Sequence, residues 1–277
     1  MQWEKIFKYI LFMLVFRKTM QIFNEGRALA FIFVTTLTVL LYYLTEYAKK
    51  NDVPLRQLAA FEAISEGVGR CAELGRPLVI HCGQRNLDHP EVAVTLSALE
   101  ILSYVAKLCA ETGVRIIVPT MLHTAYPVQV ERVREAYMEA GVPDAFNEND
   151  VRFLSPHHQV YATAVMSLFE RENVGANIMV GRWSGISMAV AETSARLGIF
   201  GVGGTDQPDN MPFFIPTMDY AIIGEEMYAL GAYVGKEPRD IGNIFAKDIM
   251  KLLVIGGILL GVVLALAGIP LSNVMGI

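Results

Sequence analysis

Apolar positions fall into two regimes along the chain. Toward either end they form long unbroken runs, and between these they come as short bursts of Val and Ile separated by stretches with helical spacing. At the C-terminal end, Leu252 to Ile277 contains no Asp, Glu, Lys or Arg. About 20 apolar residues rising ~1.5 Å each are enough to cross a hydrocarbon core of ~30 Å, so a transmembrane helix is predicted over 252–272. Nearer the N-terminus, Ala28 to Leu44 is also uncharged. Thr35, Thr36 and Thr38 can bond back to their own helix, and Tyr42, Tyr43 and Tyr47 are placed like an interfacial belt before Lys49 and Lys50. This predicts a first span over 28–48. The stretch Ile6 to Phe16 is shorter and is bracketed or interrupted by Lys5, Lys8, Arg17 and Lys18, which fits an interfacial helix within residues 1–27. No small-residue cleavage site follows a short apolar core, which argues against a signal peptide.

The middle, residues 51–248, repeats one unit: a short apolar run, a loop with Gly, Pro or His, then a helical stretch. Strands are predicted at Pro77 to Cys82, Arg115 to Val118, Val151 to Leu154, Asn177 to Val180, Ile199 to Val202 and Tyr220 to Ile223. Helices are predicted at Leu55 to Leu74, Glu91 to Glu111, Pro127 to Ala140, His158 to Glu172, Ile186 to Leu197 and Glu225 to Val234. Strands alternating with helices of this length imply an α/β fold: a mainly parallel, six-stranded, Rossmann-like sheet with helices on both faces, flanked by two transmembrane helices. The helix from Glu91 to Glu111 is apolar on more than one side, which predicts burial against a second element of the same chain or against a second subunit. Gly257 and Gly261 form a Gly-x-x-x-Gly pair in the last span, readable as ordinary transmembrane glycine usage or as a dimer face.

Charge refines this picture. Only 18% of the 277 residues are charged and 53% are hydrophobic, against about 25% charged in an average soluble protein. Residues 51–248 carry a net charge of −10 and residues 1–50 a net of +4. Such a distribution argues against nucleic-acid phosphate-backbone binding and against a domain lying flat on an anionic leaflet. Seven basic residues flank the spans on the side of the middle section and five on the other, which favours a cytoplasmic middle. Cys71, Cys82 and Cys109, odd in number and without framework spacing, suit a reducing compartment. The expected location is the cell membrane, with two spans and the large domain in the cytoplasm.

Open parallel sheets bind ligands outside the carboxyl ends of their strands. All five histidines fall in or beside the first three loops of that edge. A metal site from His81, His123, His157 or His158 with Asp206 is chemically coherent, although loops gather polar residues anyway and no metal is assigned. No Gly-x-Gly-x-x-Gly or Walker lysine is present, and no cofactor is indicated. Gly181 to Gly185 precedes a helix and could seat an anion with Arg182. Ser184 sits at a strand-to-helix turn but lacks the Gly-x-Ser-x-Gly pattern, and Cys82 reads best as a buried structural thiol. Gly203 and Gly204 read as shaping a tight turn. The ligand-binding candidates are Arg85, Arg182, Ser184, Gly204, Thr205 and Asp206, and the candidate acid and base are His81 and Asp206.

Longer runs are informative too. AISEGVGRCAELGRP, AYMEAGVPDAFNENDVRFLS and GGTDQPDNMPFFIPTMDYAIIGEEMYALGAYVGKEP, with the hydrophobic C-terminus, resemble a family of prokaryotic membrane proteins described only as a domain of unknown function. The resemblance covers about residues 55–270, is most specific through Asp219, Gly224 and Glu225, and leaves residues 1–27 outside. It implies a membrane-anchored cytoplasmic domain and brings no activity, ligand or catalytic residue. Two functions follow from the sequence: an oligomeric binding or scaffold protein tethered to the lipid bilayer, expected to be a homo-oligomer, or a membrane-tethered enzyme acting on a small polar or anionic metabolite. A transporter is disfavoured, because neither proposed span carries an interior ionisable residue.

Overall fold

Strands with few charged positions can be buried on both faces only if helices cover both, and this sets the architecture. The computed structural model describes residues 27–51, 59–235 and 238–267. In order these form α1 (Arg27–Lys50), α2 (Ala59–Leu74), β1 (Leu78–His81), α3 (Val92–Thr112), β2 (Ile116–Thr120), α4 (Tyr126–Glu139), two 3₁₀ turns, β3 (Val151–Phe153) and α5 (His158–Arg171). Then follow β4 (Ala176–Val180), α6 (Ile186–Arg196), β5 (Phe200–Thr205), α7 (Met211–Thr217), β6 (Tyr220–Ile223), α8 (Glu226–Gly235) and α9 (Pro238–Leu266). The interfacial segment expected before residue 27 and the end of the second span beyond 267 lie outside the described residues. Two compact units result, one being Pro54–Glu237 and the other containing α1 and α9.

In the α/β unit the strand order is β3-β2-β1-β4-β5-β6, and all neighbours are parallel. Four strands, β1, β2, β4 and β5, are buried at every position. One face of the sheet meets α2, where Gly67 lets the helix approach so closely that a Cβ there would stand 3.1 Å from the Phe200 ring and 3.6 Å from Ala176 Cβ. The opposite face carries His81, whose ring meets Tyr161 and Phe169 of α5. The apolar helix α3 packs against α2, α4 and α8, so its broad apolar surface is core within one chain. Cys71, Cys82 and Cys109 are free and buried.

Two sequence expectations are corrected. Gly203, Gly204 and Thr205 do not turn; β5 runs on through them, with Gly203 paired to Met179 and Gly204 to Val180. The reason is space, since a Cβ on Gly203 would come 2.7 Å from the Phe214 ring and one on Gly204 3.2 Å from Ile222 Cβ. The second correction is an added helix, α7, between β5 and β6, where none was predicted; Pro212 lies in its first turn, where a missing N–H costs nothing.

In the helical unit, α1 and α9 pack together. A Cβ on Gly242 would lie 2.9 Å from Thr45 O, so the two backbones nearly touch there, and Thr45 Oγ1 sits 2.8 Å from Leu41 O and 3.2 Å from Asn243 Oδ1. Thr35 and Thr38 bond back to Phe31 O and Val34 O at 2.8 Å, as their spacing predicts. Among the described residues two helices were found long and apolar enough to cross a membrane, Val92–Thr112 and Ile241–Leu266. The first is α3, half buried in the α/β core, whereas the most apolar window of the second has nothing buried.

Glycines that make room should tolerate no side chain, and glycines in open space should. Gly203→Ala is expected to lower the unfolding free energy by about 1–3 kcal/mol through overpacking against Phe214 and Met218. Gly69→Ala, in α2 with nothing within 4 Å, should raise it by about 0.5–1 kcal/mol. Denaturant unfolding of the two variants beside the parent protein checks both signs.

Candidate functional site

Strand order reverses between β1 and β4, which makes the loops after these strands the walls of the crevice where such sheets hold ligands. Here the walls meet. Gly83 (φ +74°) and Gly181 (φ +120°) lie backbone to backbone, and a Cβ would come 2.8 Å from Arg182 N in the first case and 2.9 Å from Gly83 Cα in the second. Glycine is the residue that takes such φ values without steric cost. Across the seam Gln84 N donates to Arg182 O at 2.9 Å. Ser184 N and Oγ donate to Gln84 Oε1 at 2.9 and 2.6 Å.

A charged network ties the loops further. The Arg182 guanidinium holds Asp206 with two bonds, Nε to Oδ1 at 3.0 Å and Nη2 to Oδ2 at 2.5 Å, and its Nη1 pairs with Glu91. Tyr228 OH donates to Asp206 Oδ2 at 3.0 Å, and Arg85 Nε donates to Glu91 Oε2 at 3.1 Å. Two cations and two carboxylates thus balance, with the Arg182 and Asp206 side chains 17% and 7% exposed. The hydrogen bond to Asp206, then that to Glu91, hold the Arg182 guanidinium above its ordinary pKa against the effect of burial. The hydrogen bond from Arg182 keeps the Glu91 carboxyl below the usual carboxylate range. Burial, reinforced by Asp206, pushes the Tyr228 phenol up to about 12.

Arg85, Arg182 and Asp206, singled out from sequence, therefore belong to one network, and Ser184 lies beside it with its Oγ 3.4 Å from His158 Nδ1. Thr205 is buried and its Oγ1 accepts from Gln207 N at 3.2 Å, while Gly204 lies within β5 under Ile222 and Met227. His81 is elsewhere, fully buried in the core. Its Nδ1 is 2.7 Å from Tyr161 OH, which donates to Pro119 O at 3.0 Å, so Nδ1 carries the hydrogen and donates to the phenol. Burial pushes the His81 pKa down to about 3, opposed by Asn177. His123 and His157 are exposed, and among the described residues no three His, Cys, Asp or Glu side chains converge on a metal position.

Sequence reading missed Glu91 and Tyr228. Glu91 read only as the start of a helix, though it closes the loop that follows β1; Tyr228 has no local signal in its apolar helix. The run through Asp219, Gly224 and Glu225 explains how Tyr228 arrives. Asp219 Oδ2 accepts from Gly201 N at 2.7 Å, Gly224 (φ +61°) donates to Thr205 O at 2.9 Å, and Glu225 O accepts from Tyr228 N and Ala229 N at 3.0 Å. These contacts seat β6 on β5 and start α8 beside Asp206.

Asp206→Asn should lower stability by about 1.5–3 kcal/mol, the range for a hydrogen bond to a charged group, and Tyr228→Phe by less, in urea unfolding at neutral pH. His81 gives a pH prediction. Its folded pKa of about 3 lies below the unfolded value near 6.5, so the unfolded chain binds the extra proton between these values. The stability His81 contributes is complete above pH 6.5 and is lost as pH falls toward 3. A His81→Asn variant should show a flatter decline over that window.

No curated protein and no solved structure matches the chain. One family profile does, over residues 18–275, which reaches further toward the N-terminus than the resemblance traced from sequence and takes in α1, the α/β unit and α9. The chain belongs to that family, whose description is Domain of unknown function (DUF6754).

Proposed function

We propose that the chain is a membrane-anchored α/β binding or scaffold protein, held by α1 and α9 as its two spans, with the domain in the cytoplasm. The observation that carries the reading is the outer half of α9. From Leu252 to Leu266 it has no charged residue, and most of its large side chains, Leu259 and Val263 among them, are more than half exposed. Lipid satisfies such a surface and water does not. Binding is favoured over catalysis because the charged groups of the carboxyl edge, Arg182, Asp206, Arg85 and Glu91, already pair with one another. Self-assembly belongs to the reading: a groove of about 550 Å³ beside Gly257, Gly261 and Ala265 gives another helix room for close approach.

A second reading, an enzyme acting on a small polar or anionic metabolite, draws on Ser184 Oγ and His158 Nδ1 being 3.4 Å apart at a strand-to-helix turn. It has less support, because the Ser184 hydroxyl donates to Gln84 and the candidate pair His81 and Asp206 are buried and ion-paired respectively.

Protease treatment of sealed inside-out vesicles tests the anchored arrangement. The expected result is digestion of residues 54–237, with a fragment containing α9 retained in the membrane after an alkaline wash. Protection in these vesicles with cleavage in right-side-out ones would reverse the orientation, and release of the intact chain by the wash would remove the anchors.

A further inference from the structure

We infer that the α/β unit carries a second binding site, for a small organic cation of the ammonium class, in a cleft on the outer side of α3. The cleft is half open and has a volume of about 480 Å³, inside the range of ~300–1,000 Å³ for small-molecule sites. It is not part of the carboxyl edge, and the inference does not depend on the function proposed above.

The sequence builds the cleft from one stripe. Glu100, Ser103, Tyr104, Lys107, Leu108 and Glu111 recur at three- and four-residue spacing, so they share one side of α3, the helix whose other sides are core. Phe61 from α2 and Tyr233 from α8 join them. Phe61 stacks on Tyr104 with ring centroids 5.0 Å apart, and Tyr233 meets Phe61 edge-on at 4.9 Å. Gly235 ends α8 at the rim, where a Cβ would come 3.4 Å from Glu100 Oε2.

Charge decides the ligand class. Both cations of the lining are already engaged: Lys107 Nζ is 3.1 Å from Glu139 and Arg132 Nη2 is 3.0 Å from Glu100. Glu111 is left over, exposed, with no hydrogen-bond or ion-pair partner among the described residues. It faces Tyr104 closely enough to help burial push that phenol's pKa up. An anion entering the cleft would meet an uncompensated carboxylate among aromatic side chains. An ammonium group would be attracted by the carboxylate and, wherever it meets the face of a ring, by that ring's quadrupole. The ammonium could be a free metabolite or the choline head group of a lipid, and the chemistry recognised is the same.

The test is isothermal titration of choline into the intact protein in nanodiscs of phosphatidylglycerol. Saturable choline binding is expected, with none for 3,3-dimethylbutanol, which has the same shape without the charge. Tyr233→Leu, which keeps an apolar packing group, should weaken the choline Kd by about 2- to 30-fold, the range of a single cation–π contact, and Glu111→Gln, at an exposed position, by about 1.5- to 5-fold, the range of an exposed ion pair. Choline binding suppressed in phosphatidylcholine nanodiscs would assign the site to a lipid head group, and binding unchanged there to a free ammonium compound. Absence of saturable choline binding, binding of 3,3-dimethylbutanol as strong as that of choline, or a Kd unchanged in both variants would overturn the inference. So would inorganic phosphate binding in place of choline.

Discussion

The clamp of Arg182 between Asp206 and Glu91 is the joint on which the carboxyl edge depends. Asp206 follows β5, Arg182 follows β4 and Glu91 stands at the N-cap of α3 after β1, so one guanidinium fastens the ends of three adjacent strands. The planar fork of arginine suits this work, since it offers two bonds to one carboxylate while leaving a third nitrogen for another. Taking such charges largely out of water is costly, and a pair of this kind fixes one geometry more than it adds stability. That geometry places Tyr228, and with it α8, against the edge. Residues that look like a ligand site from their loop positions are here consumed by the architecture.

Burial on both faces of a parallel sheet has a second consequence. It calls for a helix as apolar as a membrane span, and α3 is one: 21 residues long, apolar enough to cross a bilayer, yet packed among α2, α4 and α8. Length and hydropathy measure exclusion from water and do not distinguish lipid from core. What separates α3 from α9 is the stripe on its outer side, Glu100 to Glu111, which a membrane span could not carry and which α9 lacks beyond Lys251.

Legibility in the sequence followed the range of each interaction. Runs such as Leu78 to Ile80 and Ile116 to Val118 fixed the strands within one or two residues, because period and β-branching are local signals. The β5 extension escaped because Gly203 and Gly204 read locally as a turn, whereas Phe214 and Met218, far along the chain, require their bareness. His81 was placed at the edge because it ends a strand, but period two turns it inward onto Tyr161. Glu91 and Tyr228 were invisible as site residues because their roles come only from pairing at long range. Arg182 and Asp206 were found as residues but not as each other's partners.

Native mass spectrometry of the intact protein released from membranes tests the central claim most directly: that the carboxyl edge is closed on itself and that the protein acts by binding and assembly. The account predicts an oligomer whose mass is a whole multiple of the chain, with no anionic small molecule whose retention depends on Arg182. A defined anionic mass present in the parent protein and lost when Arg182 is replaced by Met would contradict it, as would a strictly monomeric chain.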